Sequence, residues 1–170
     1  MQTTTVKLYS LEFANAKTYL AAALFAVGNI LLPQLCHQVH LGGPTWLPIY
    51  FFTLVGACKY GWRVGLLTAV VSPLVNSLLF GMPAAATLVP ILFKSVILAL
   101  AAGWAAARSG RASLGLLAAV ILTYQVVGSL GEWAWVGDFR AAMQDFRLGV
   151  PGMLVQLFGG WAVINYVIRK

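Results

Sequence analysis

The chain has 170 residues, 61% hydrophobic and 9% charged, with a mean hydropathy of +0.86 and a formal net charge of +7. Soluble domains carry about 25% charged residues, and so small a domain needs a polar exterior in water, so most of this surface is expected to face lipid. Spanning helices of about 20 residues fill such a length. They leave no room for a soluble catalytic or nucleotide-binding domain, and bases scattered at helix ends, away from any aromatic cluster, exclude a nucleic-acid surface.

The polar start of the chain, with Glu12 and no short apolar core before a small-residue cleavage site, does not read as a signal peptide. The first apolar stretch is therefore read as a resident helix. Apolar runs and their breakers predict six spans. The first covers roughly 14–32 and ends near Pro33. The second covers 46–58 and starts through the breaker-rich Gly42-Gly43-Pro44; its 13 residues rise only about 20 Å, against a hydrocarbon core of about 30 Å. The third covers 62–80, closed by Gly81 and Pro83. The fourth covers 85–107, the fifth 112–135, and the sixth 149–168, opened by Gly149 and Pro151. The expected fold is an all-α integral membrane protein: one domain, a compact bundle of six transmembrane helices.

Orientation follows from basic residues in alternate loops. Lys7, Lys17, Lys59, Arg63, Arg108, Arg111, Arg169 and Lys170 gather on one side, eight of the eleven bases. Arg140 and Arg147 share the other side with Glu132, Asp138 and Asp145. Both termini are thus expected in the cytoplasm. Residues 33–45, the turn at 80–87 and the loop 133–148 are expected outside a cell membrane crossed several times.

Ionisable groups inside hydrocarbon are costly, so each is a functional hypothesis. Lys94 sits about 13 Å along the fourth span at 1.5 Å per residue. It must meet water, a carboxylate or a ligand: it is either half of a structural ion pair with Glu132 or a cationic anchor for an anionic or carbonyl-bearing substrate. Polar residues at a similar depth would complete a pocket: Asn76 beside Ser72 on the third span, Gln125, Ser129 and Glu132 on one stripe of the fifth, and Gln156 between Gly152 and Gly160 on the sixth. Tyr50 and Trp135 are candidate stacking walls, although such rings also form interfacial belts and such amides also hold membrane helices together. Cys36, His37 and His40 form too sparse a set for a metal site; the loop they occupy is read as a cover over the pocket. No metal or cofactor is expected. Ala14, Thr18, Ala22 and Ala26 repeat every four residues, a small-residue face for a neighbouring helix of this chain or of a partner.

The run 47–106 resembles the substrate-binding S components of energy-coupling factor (ECF) vitamin transporters. The shared pattern is Leu47-Pro48 at the start of the second span, Gly56 before the Lys59-Tyr60-Gly61 turn, Gly65, Ser72-Pro73, and Gly81-Met82-Pro83. The resemblance implies six helices and a vitamin or related micronutrient bound near the outer face. It also implies docking, through a small-x-x-x-small motif matched by Ala22 and Ala26, to a membrane coupling protein with two ATPases. Where many relatives read Leu-Pro-Met-His-Ile-Pro, this chain reads Leu47-Pro48-Ile49-Tyr50-Phe51-Phe52, so a ligand contact by that His does not carry over. No GxxxxGK[ST] motif is present, so energy for uphill import would come from partners. The alternative is a membrane scaffold resembling rod-shape-determining proteins, which binds only proteins. With no paired intramembrane carboxylates, no HExxH and no nucleophile–base pair, an enzyme is not expected.

Overall fold

The computed structural model describes residues 8–168. Lys7, Arg169 and Lys170, which entered the charge count, lie outside the described residues. Those described form helices and connecting turns, with no strand among them. Helix α1 is Ala16–Cys36, opened by the Asn15 side chain, which accepts from Lys17 N at 3.0 Å. A short α2, Gly42–Trp46, and a 3₁₀ turn, Pro48–Tyr50, lead into α3, Phe51–Tyr60. Helices α4, Trp62–Phe80, α5, Ala85–Ser109, and α6, Leu114–Val136, follow. Two short helices, α7 (Phe139–Ala142) and α8 (Gln144–Leu148), precede α9, Val150–Val167. Within α9, Val155–Gly159 and Val163–Val167 wind as π-helix.

Among the described residues five helices, α1, α4, α5, α6 and α9, are long and apolar enough to cross a membrane. Their outward faces fit that setting: Leu20, Leu24, Leu78, Leu79, Trp104 and Val167 are among the most exposed large apolar side chains. A soluble chain rarely leaves so many uncovered.

The expected second span differs in kind. Its stretch, 46–58, is broken at Leu47, which adopts φ 46, and only the ten residues of α3 continue as α-helix. Ten residues rise about 15 Å, so α3 does not match a bilayer by itself. It does not need to. Every residue from Thr53 to Lys59 is buried, with α1, α4 and α5 packed around the helix. Irregular backbone at membrane depth is tolerated where protein covers it.

The first span also departs from expectation, because Pro33 does not end it. Proline at 33 removes the N–H that would bond the Asn29 carbonyl, and Asn76 Nδ2 on α4 donates to that oxygen at 2.9 Å. With the orphan carbonyl answered from a neighbour, the helix runs on to Cys36. The Asn29 side chain is equally engaged. Its Oδ1 accepts from Phe52 N, in the uncapped first turn of α3, at 3.0 Å, and its Nδ2 donates to Thr53 Oγ1 at 2.9 Å and Ser72 Oγ at 3.3 Å. Asn29 is wholly buried, and it ties α1 to both α3 and α4.

The expected partner face is also corrected. Ala22 and Ala26 are each only 5% exposed, and Thr18 is fully buried. The Ala22 carbonyl lies 3.5 Å from Thr68 Oγ1 of α4. Thr18, Ala22 and Ala26 serve close packing inside the bundle and are not open to another subunit, while Ala14 precedes α1 and is exposed.

If the Asn76–Asn29 bond lets α1 pass Pro33, Asn76→Leu is expected to cost about 1–3 kcal/mol by stranding a buried carbonyl. Thermal unfolding of the detergent-solubilised protein should fall accordingly, while Leu78→Ala, on the exposed face of α4, leaves it unchanged.

Candidate functional site

A cavity of about 290 Å³ lies at the end of the bundle where α1, α4 and α6 finish and α3, α5 and α9 begin. It falls near the lower end of the range for small-molecule sites, about 300–1,000 Å³. The three segments expected on one side contribute together: Pro33, His37 and Gly43 from the first, Met82, Pro83 and Ala84 from the second, Gln144 and Asp145 from the third.

Lys94 forms the charged wall. Its Nζ lies 2.6 Å from Glu132 Oε2 and 2.8 Å from Asp145 Oδ2. The lysine is 3% exposed and its two partners 16% and 15%. Helix α6 makes room for the stem at Gly128, where an added Cβ would fall on Lys94 Cγ. The expected pairing with Glu132 is present, and Asp145, which sequence reasoning counted only as a loop charge, joins it. The requirement that a buried lysine meet a carboxylate points to Glu132 on the neighbouring span; nothing in it asks for a second acid from the loop beyond. Two carboxylates already hold Lys94, so it is not a free anchor for an anion.

Tyr50 lines the cavity, and its ring packs on that of Tyr124 with centroids 5.3 Å apart. The remaining expected site residues stand back from it. Gln125 Nε2 donates to the Tyr124 hydroxyl at 3.2 Å, Tyr124 donates to Gln156 Oε1 at 2.9 Å, and Gln156 Nε2 reaches the Leu47 carbonyl at 3.5 Å. Leu47 holds a left-handed conformation that costs an ordinary residue about 1–3 kcal/mol, and this chain of side chains braces it. Gly152 lies directly beneath the turn: a Cβ there would overlap the Trp46 carbonyl. Gln125 and Gln156 therefore shape the rim from behind. Asn76 belongs to the Asn29 network, its Oδ1 accepting from Gln34 Nε2 at 3.2 Å. Trp135 is 69% exposed and lies outside the cavity lining.

Two residues now gain a role. Asn29 went unread, although a proline four positions on marks its carbonyl as an orphan. The sequence places His37 in a loop over the pocket and gives it no individual role. It lines the cavity, and its Nδ1 sits 2.6 Å from the Pro33 carbonyl; since a carbonyl only accepts, Nδ1 carries the proton.

Comparison with family models, with curated proteins and with solved structures finds no match. The class that fold and site define is a helical bundle with lipid-type outer faces and a small, partly charged cavity at one end.

Removing the lysine alone leaves two carboxylates facing each other. Lys94→Met is expected to destabilise by about 3–5 kcal/mol, the usual cost of breaking a buried pair from one side. Adding both Glu132→Gln and Asp145→Asn to it should restore most of the loss, which thermal unfolding of the unmodified, single-variant and triple-variant proteins would measure. Gly152→Val should displace the Trp46–Leu47 turn and raise proteolytic cleavage between α1 and α3.

Proposed function

We propose that the chain is the substrate-binding subunit, or S component, of an ECF-type importer that captures a vitamin or related micronutrient for ATP-driven uptake. The observation that carries this is the cavity. It combines apolar walls with a desolvated ion cluster, and its rim is braced by a buried chain of side chains, at one end of a bundle with little else to offer chemistry. On this reading α3 is the sixth crossing, completed by the turn at Pro48–Tyr50, and both termini lie in the cytoplasm of a cell whose plasma membrane holds the bundle. Charge supports that direction. Lys17, Arg63, Arg108 and Arg111 belong to the end away from the cavity, and the positive-inside rule sends that end inward. The cavity then faces outward, toward substrate. A transmembrane coupling protein and two ATPase subunits would supply the energy, contacting the chain elsewhere than on Ala22 and Ala26.

The doubly paired Lys94 also suits a scaffold that binds only proteins, since there the cluster would need no ligand. Mass spectrometry of small molecules released from the purified protein separates the two. One compound near one-to-one stoichiometry, reduced when Ile91→Trp fills the cavity, is the expected result. No released compound, and cell growth indifferent to that substitution, would sink the importer reading.

A further inference from the structure

The cavity wall carries unequal charge. One ammonium, Lys94, faces two carboxylates, Glu132 and Asp145, so the ionised cluster has a net charge of minus one. Two arginines at this end among the described residues, Arg140 and Arg147, are exposed and outside the lining. His37 adds to the imbalance. With Nδ1 donating to Pro33, a neutral ring presents Nε2 as an acceptor, and that atom would lie 2.9 Å from a Cβ placed on the cavity-lining Gly43. Carboxylate charge thus exceeds ammonium charge beside a space whose other walls include the apolar Pro48, Ile49 and Ile91.

An anion entering this space meets like charge and must pull Lys94 away from a carboxylate at low dielectric, where such a pair is strong. A cation meets the surplus carboxylate charge directly, leaves the lysine pairs standing, and can lie against the Tyr50 ring. We propose that the cavity takes a ligand bearing a protonated amine on a compact apolar body. The inference rests on the small-molecule binding role and fixes the charge of what is bound.

Two probes of nearly equal shape and opposite charge, phenethylamine and hydrocinnamate, test it by thermal stabilisation of the purified full chain at neutral pH, alongside identification of any co-purifying compound. Phenethylamine should stabilise the protein at concentrations about tenfold lower than hydrocinnamate, and Glu132→Gln should erase that preference while the Lys94–Asp145 pair keeps the fold. Stronger stabilisation by hydrocinnamate would overturn the charge assignment, because Asp145 would then be a displaceable stand-in for an anionic ligand; the binding role would survive. A co-purifying compound without a basic nitrogen would have the same effect. Stabilisation by neither probe, with nothing co-purifying, would remove the charge assignment and the binding role together.

Discussion

The bond from Asn76 to the Asn29 carbonyl is the point on which the bundle turns. In lipid an unanswered carbonyl has no water to fall back on. Proline at 33 creates such a carbonyl at 29, and α4 answers it at 2.9 Å. The same asparagine covers the Phe52 amide in the first turn of α3. Asn76 thus compensates the proline inside α1, and Asn29 itself covers the start of α3. Because α1 can then continue past Pro33, its last turn brings Pro33 and His37 to the cavity. Because α3 starts deep, covered on all sides, space remains above it for the turn at Leu47 and for the cavity.

Polar residues at shared depth fall into three groups with separate work. Asn29, Thr53, Ser72 and Asn76 hold α1, α3 and α4 together. Gln125, Tyr124 and Gln156 run from α6 to α9 and brace a left-handed leucine. Lys94, Glu132 and Asp145 alone bring formal charge to open space. A wall built this way is preorganised: its charged atoms are fixed by each other and its rim by the side chains behind it. Selectivity then depends on charge balance and on the size of the opening more than on flexible amides reaching for substrate.

Hydropathy made the long helices legible. The third expected span coincides with α4, and the fourth and fifth differ from α5 and α6 only by a residue or two at their ends. Composition identifies such segments because their outward faces are apolar along the whole length. The second segment was harder for the opposite reason: α3 is enclosed by protein, so no bilayer dimension sets its length. Pro33 misled because a proline's effect depends on whether a distant side chain replaces the lost bond, and nothing local to the sequence carries Asn76. The site was legible in part. Lys94, Glu132 and Tyr50 were found through cost and position. Asp145 was not, because its side chain reaches the lysine only after α7 and α8 fold the loop back. Gln125 and Gln156 were found as buried amides, yet depth alone does not separate a wall from its support.

The Lys94 cluster also sets an order on the making of the protein. Asp145 is synthesised 51 residues after Lys94, with all of α6 between them. Until then α5 carries an ammonium with at most one of its two counter-charges in place, and hydrocarbon is a poor place for it. Helix α5 therefore gains its full compatibility with lipid only as α6 and the loop beyond it arrive. The last third of the chain completes the membrane insertion of a helix made well before it.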